Sequence, residues 1–124
     1  MIEYKVKVYE DGDKFWYLNG QLHREDGPAR EWANGTKEWF LNGKLHRTDG
    51  PAIEYANGDK EWFLNGECHR EDGPAIEWSD GTKGWFLNDE RLTEEEFINK
   101  TKTKELTIQE LESKLGYKIK VVGE

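Results

Sequence analysis

A chain of 124 residues has room for one domain with a modest core, and 18 Lys and Arg against 26 Asp and Glu leave it a net charge of −8. That sign disfavours nucleic acid and anionic membrane surfaces as partners, because both repel it. Charged residues make up 35% of the chain, yet six Trp, five Tyr and five Phe exclude the disordered acidic class, which lacks such rings.

The opening Ile2-Glu3-Tyr4-Lys5-Val6-Lys7-Val8 alternates apolar and polar residues and predicts a leading strand within residues 1–9. It lacks the apolar centre of a signal peptide, and no stretch approaches the ~20 apolar residues that cross a bilayer. The single cysteine, Cys68, has no internal disulfide partner. Together these features lead to the expectation of a cytoplasmic protein without a membrane partner.

Residues 10–92 form a tandem repeat with a period of 23 residues. Three full copies and one degenerate copy place Trp16, Trp39, Trp62 and Trp85 in equivalent positions, with Leu18, Leu41, Leu64 and Leu87 two residues on. His23, His46 and His69 are likewise in register, followed by Arg24, Arg47 and Arg70 and then by Asp-Gly-Pro-Ala. The fourth copy decays after Asn88-Asp89-Glu90, with Leu92 in the histidine slot.

Asn-Gly or Asp-Gly pairs flank each Trp-(Phe/Tyr)-Leu core, and such pairs tolerate the positive φ of a two-residue type I′ turn. The expected fold class is therefore mainly β, an antiparallel meander of hairpin repeats. A two-residue loop at Asn34-Gly35 sets Glu31 opposite Glu38 and Arg30 opposite Trp39. One at Asn42-Gly43 sets Leu41 opposite Lys44, Phe40 opposite Leu45, Trp39 opposite His46 and Glu38 opposite Arg47. The Pro after each Asp-Gly marks a further turn. Alternation puts Ile53, Tyr55, Trp62, Leu64 and His69 on a ring-rich face expected to be buried. Ala52, Glu54, Glu61, Phe63 and Arg70 fall on a mixed face. There Glu38–Arg47 and Glu61–Arg70 are expected ion pairs of ~0.2–1 kcal/mol, and Glu31–Glu38 and Glu54–Glu61 like-charge pairs.

Past residue 92, Thr93-Glu94-Glu95-Glu96 and Thr107-Ile108-Gln109-Glu110 carry capping-box spacing and open two short helices. The second has Ile108, Leu111 and Leu115 on one face and Gly116 as its C-cap. Lys100–Lys104 reads as a polar linker and Tyr117–Val122 as a final strand. Residues 93–124 are thus expected to cap the array with a helix-helix-strand unit, the whole forming one compact domain.

The unit Trp-(Phe/Tyr)-Leu-Asn-Gly-x-x-His-Arg-x-Asp-Gly-Pro-Ala-x-Glu-(Trp/Tyr) resembles MORN-variant (YwqK-like) repeats over roughly residues 11–89. The likeness is greatest to the His-Arg-x-Asp-Gly-Pro-Ala version of small bacteriophage proteins. It implies a phage-type protein acting inside a host cell.

Three histidines one repeat apart fall roughly 10–14 Å from one another. That is too far to share a zinc ion, whose bonds to imidazole are about 2.0–2.1 Å. A catalytic centre is one asymmetric constellation, whereas this set recurs three times, so neither enzyme activity nor a cofactor is expected. The histidines are expected to pack beside Trp and to bond the Asp-Gly-Pro turn, and the Trp set to form a buried ring ladder. Cys68 takes the slot of Leu22 and Leu45, facing Phe63, which reads as a buried apolar position.

Residues 10–89 hold nine basic and seventeen acidic residues, so the charge deficit lies on the repeats. The expected function is a binding protein that docks on a basic patch of a host defence or regulatory protein and blocks it. Its candidate contacts are Glu31, Glu38, Glu54, Glu61 and Glu77, oriented by Arg24, Arg47 and Arg70. Two other readings stand beside this one: a sink for a nucleotide-type signal built on Trp and Arg, and a purely structural module. Direct contact with nucleic acid is not expected, and homo-oligomerisation is left open.

Overall fold

The chain alternates two kinds of hairpin, and these place all fourteen strands found among the described residues. The computed structural model describes residues 2–102, 107–118 and 120. β1 (Lys5–Val8) pairs antiparallel with β2 (Lys14–Leu18), and β2 with β3 (Gln21–Leu22). The second copy supplies β4 (Arg30–Glu31), β5 (Lys37–Glu38), β6 (Phe40–Leu41) and β7 (Lys44–Leu45). The third supplies β8 (Ile53–Glu54), β9 (Lys60–Glu61), β10 (Phe63–Leu64) and β11 (Glu67–Cys68). β12 (Ile76–Glu77), β13 (Lys83–Leu87) and β14 (Glu90–Leu92) close the array. The main sheet runs β1-β2-β4-β5-β8-β9-β12-β13-β14 with β3 on β2, while β6–β7 and β10–β11 form two-stranded ribbons. The protein is mainly β, an antiparallel meander with two short helices after it.

At Asn42-Gly43 both central residues hold positive φ, 52° and 78°, the type I′ geometry. The ribbon accordingly pairs Phe40 with Leu45 and Leu41 with Lys44, as the two-residue loop requires. The Asn34-Gly35 loop is one residue longer. Only Gly35 has positive φ there, 99°, and Trp32 N–H donates to Thr36 O while Gly35 N–H donates to Trp32 O, both at 2.9 Å. Asn34 stays on the ordinary side of φ because its own Oδ1 accepts the Thr36 N–H at 2.9 Å. The result is a type I turn closed by a left-handed glycine. Asp11, Asn57 and Asp80 make the same side-chain bond two residues on, at 3.0, 2.9 and 2.9 Å. At Asp80, a bond from the Thr82 hydroxyl and that from its N–H hold the carboxyl below the usual carboxylate range.

The extra residue shifts the register of the main sheet. Arg30 lies opposite Glu38 and Glu31 opposite Lys37, and Ile53 opposite Glu61 and Glu54 opposite Lys60. The like-charge pairs Glu31–Glu38 and Glu54–Glu61 therefore do not form. Arg30 Nε instead sits 2.8 Å from Glu38 Oε1. The expected Glu38–Arg47 and Glu61–Arg70 ion pairs are also absent, since both arginines turn back onto their own Asp-Gly-Pro turns.

The strand changes partner at each Trp. Trp39 N–H donates to Ala52 O at 2.8 Å, and its carbonyl accepts the His46 N–H at 3.0 Å. Trp16 and Trp62 donate to Ala29 O and Ala75 O, both at 2.7 Å. Those three alanines are 0% exposed and form the centre of the core. This partner change interrupts the alternation along the strand. Ala52, placed on the mixed face by sequence, is central, whereas Tyr55, placed on the buried face, is exposed, and Trp62, Leu64 and His69 are half-buried.

α1 (Glu94–Thr101) begins at a capping box: Thr93 Oγ1 accepts the Glu96 N–H at 3.1 Å, and Glu96 Oε1 accepts the Thr93 N–H at 2.9 Å. The bond from the Thr93 backbone, more than any other influence, holds the Glu96 carboxyl below its usual range. α2 (Ile108–Leu115) has its own box at Thr107 and Glu110 and ends on Gly116 at φ 81°. Its Ile108 and Leu115 are 50% and 45% exposed. Because α1 runs through Thr101, the start of the expected Lys100–Lys104 linker is helical, and Thr103 and Lys104 lie outside the described residues. Of the expected final strand, Tyr117 and Lys118 are not in a strand, and Ile119, Val121 and Val122 lie outside the described residues. Among the described residues no helix is long and apolar enough to cross a membrane.

Candidate functional site

Each Asp-Gly-Pro turn is built around the arginine that precedes it. The Arg47 guanidinium lies 3.8 Å from the centroid of the Trp39 ring. Its Nε donates to Asp49 Oδ1 at 2.9 Å, and its Nη1 to Pro51 O at 3.0 Å and Glu54 Oε2 at 2.7 Å. Arg70 repeats this on Trp62 at 3.9 Å, with Asp72 at 2.9 Å, Pro74 O at 3.0 Å and Glu77 at 2.8 Å. The first copy is looser: Arg24 stands 4.1 Å from Trp16, with Asp26 at 3.0 Å, Pro28 O at 3.3 Å and Glu31 at 3.4 Å.

The glycine of the turn is there for space. Its φ is not left-handed, but a Cβ on Gly50 or Gly73 would stand 2.9 Å from the Cζ of Arg47 or Arg70, and one on Gly27 3.0 Å from that of Arg24. Glu31, Glu54 and Glu77, expected as outward contacts, are thus internal partners of the guanidinium. The stack is mostly covered while the carboxylate partners stay open to solvent, so an arginine of this kind contributes about 1–2 kcal/mol.

The histidines hold successive ribbons together. Nδ1 of His23, His46 and His69 accepts the backbone N–H of Asn42, Asn65 and Asn88 at 2.8, 2.9 and 2.9 Å. The expected bond to the Asp-Gly-Pro turn is not made, because the arginine occupies that turn. A neutral ring accepting at Nδ1 carries its proton on Nε2, which in His69 lies 3.5 Å from Glu71 Oε1. Backbone bonds flank the contact, Gly66 N–H to Leu45 O at 2.8 Å and Arg47 N–H to Phe63 O at 3.2 Å in the second copy. Replacing His46 by Leu keeps the bulk and leaves the Asn65 N–H unpaired. It is expected to lower stability by about 1–2 kcal/mol in urea denaturation, and an unchanged midpoint would remove the staple from the account.

The Trp side chains do not form a buried ladder. Trp16, Trp39, Trp62 and Trp85 are half-buried, as are Leu18, Leu41, Leu64 and Leu87. Among the described residues no two of these four Trp rings touch, because a guanidinium covers each of the first three. Trp85 has Thr93 in the arginine slot, and Phe97 of α1 covers it instead, with ring centroids 4.9 Å apart. At the other end Tyr4 lies over His23 at 6.5 Å, and its hydroxyl accepts the Glu25 N–H at 3.0 Å.

Glu38 is also occupied, taking the Trp32 Nε1–H at 2.9 Å beside its contact with Arg30. In the next copy Tyr55 replaces Trp32 and meets Glu61. Partial loss of solvent first, and then the Glu61 charge, push the Tyr55 hydroxyl up to about 12. Cys68 is buried opposite Phe63, and burial above all pushes its thiol up to about 12, so it is no thiolate nucleophile.

The carboxylates that remain outward lie on the ridge of Asp-Gly-Pro turns. Asp26, Asp49 and Asp72 have side chains 78–87% exposed while accepting from their arginines, and Glu25 and Glu71 stand exposed beside them. The ridge borders two equivalent grooves of about 680 Å³, one between the first and second copies and one between the second and third. Asp49 and Arg47 line both. These aspartates were not among the residues singled out from sequence. The signal for them was the thrice-repeated Asp-Gly before Pro, read only as a turn. Among the described residues no group of three or more His, Cys, Asp or Glu side chains could hold a metal ion.

The fold and these grooves define a tandem β-hairpin array with a repeated acidic ridge. No family model, no curated protein and no solved structure matches the chain.

Proposed function

We propose that this chain is a non-enzymatic binding protein that docks on a basic patch of a host-cell protein and blocks it. The observation that carries the reading is the ridge of Glu25, Asp26, Asp49, Glu71 and Asp72 beside two like grooves, on a chain of net charge −8. The resemblance of the repeat to phage proteins supports a host component as the target. Arg24, Arg47 and Arg70 hold the aspartates, and Glu31, Glu54 and Glu77 hold the arginines, so both series position the contact. A field of one sign steers a basic partner to the ridge, and occupation of its functional surface is the inhibition. The nucleotide reading is disfavoured by the guanidiniums that already cover Trp16, Trp39 and Trp62.

The test is affinity capture from lysate of a bacterial host with the full chain and with a Glu25→Lys, Glu71→Lys variant shown by circular dichroism to be folded. A partner held at low salt, released near 0.5 M salt and lost by the variant supports the ridge. A partner held equally by both chains overturns it.

A further inference from the structure

We propose that Asn19-Gly20 is a spontaneous modification site, the one Asn-Gly pair of this chain left open to deamidation. The chain has five such pairs, at Asn19, Asn34, Asn42, Asn57 and Asn65. In the reaction, the backbone nitrogen of the glycine gives its proton to hydroxide and attacks Cγ of the asparagine. The new N–Cγ bond forms, the Cγ–Nδ2 bond breaks and ammonia leaves, giving a succinimide. Water then opens either carbonyl of the ring to give aspartate or isoaspartate. Water is the only co-reactant. A glycine N–H engaged in a hydrogen bond is harder to deprotonate and is held away from Cγ.

Four of the five glycines are engaged. Gly35 and Gly58 donate to Trp32 O and Tyr55 O at 2.9 and 3.0 Å, and Gly43 and Gly66 to Leu22 O and Leu45 O at 2.9 and 2.8 Å. The last two bonds come from the preceding copy, and the first copy has none before it. Gly20 N–H therefore donates to no acceptor among the described residues. Packing gives the same order independently. A Cβ on Gly43, Gly66, Gly35 or Gly58 would have a neighbour at 3.6, 3.7, 3.9 or 3.5 Å, whereas one on Gly20 would meet nothing within 4 Å. Asn19 and Asn42 share their backbone form, both at φ 52°, so the difference lies in the amide and not in the turn. The five Asp-Gly pairs, at Asp11, Asp26, Asp49, Asp72 and Asp80, compete poorly, since a carboxylate is a weaker electrophile than a carboxamide. The product adds one negative charge and, as isoaspartate, one backbone carbon in the β2–β3 turn.

The experiment ages the full folded chain near pH 8 and maps its peptides by mass spectrometry, with a parallel sample in denaturing urea. In the folded chain the mass gain of about 1 Da is expected at Asn19 about tenfold faster than at the other four pairs, the factor one amide hydrogen bond of ordinary net strength represents. In urea the five rates converge. The proposal is overturned if Asn34, Asn42, Asn57 or Asn65 reacts as fast as Asn19 in the folded chain. It is equally overturned if the preference for Asn19 persists in urea.

Discussion

Phe97→Ala is expected to lower the stability of the protein by about 3–5 kcal/mol, read as a fall in the urea midpoint. Phe97 is 5% exposed and covers Trp85, the one repeated Trp with no arginine above it. Leu92, also 5% exposed, fills the slot where a histidine would have no following ribbon to hold. Helix and leucine together form the terminal plug of the array. In a chain of nearest-neighbour contacts, removing a plug exposes the last unit and lets unfolding proceed inward. Amide exchange should therefore quicken first in β13 and β14 and last in β1 and β2. Uniform quickening, or an unchanged midpoint, would contradict the plug.

The arginine clamp gives the second large effect. Arg47→Ala removes the stack on Trp39 and strands the Glu54 carboxylate and Pro51 carbonyl, with an expected loss of about 2–4 kcal/mol. Gly50→Ala drives a methyl against the guanidinium, a loss of about 1–3 kcal/mol by overpacking. The two are coupled through one contact. In the double variant the guanidinium is gone and the new methyl has room, so the combined loss should fall short of the sum by about 1 kcal/mol or more. Additive losses in a double-mutant cycle would mean that Gly50 serves the turn for some reason other than the space taken by Arg47.

Features governed by neighbours in sequence were legible from it. The 23-residue frame, the helix caps at Thr93 and Thr107, and the ribbon turn at Asn42-Gly43 all lie where the sequence places them. The same Asn-Gly dipeptide at residues 34–35 does not behave as it does at 42–43, because Asn34 keeps an ordinary φ by bonding the residue two further on. The N–H groups of Asn42 and Gly43 are taken by His23 and Leu22 of the preceding copy, but Asn19-Gly20 makes the same tight turn with no copy before it, so those bonds do not select it. In the longer loop Asn34 bonds Thr36 with its own side chain, and the Ala33 N–H donates to Asp13 Oδ1 of the preceding copy at 2.6 Å. That one-residue difference displaced every charge pair expected on the main sheet. The arginines depart from the cross-strand pairing that alternation predicts because the guanidinium folds onto a carboxylate seven residues further along its own chain. The decisive clue, a glycine before proline that has no need of left-handed φ, becomes informative only once the stacked guanidinium is seen beside it.

Beside the strand pairing of the main sheet, every junction between copies repeats four links: a histidine ring, a leucine or cysteine carbonyl, an arginine amide, and a backbone N–H held by the side chain of Asp13, Thr36 or Asp59. Interior copies are consequently interchangeable, whereas the Tyr4 and Phe97 ends are not. Gain or loss of one whole copy, the natural product of slippage between near-identical coding stretches, leaves both ends and all remaining junctions intact. The reach of the acidic ridge can thus be lengthened or shortened like a ruler, in whole divisions, without a new fold being invented.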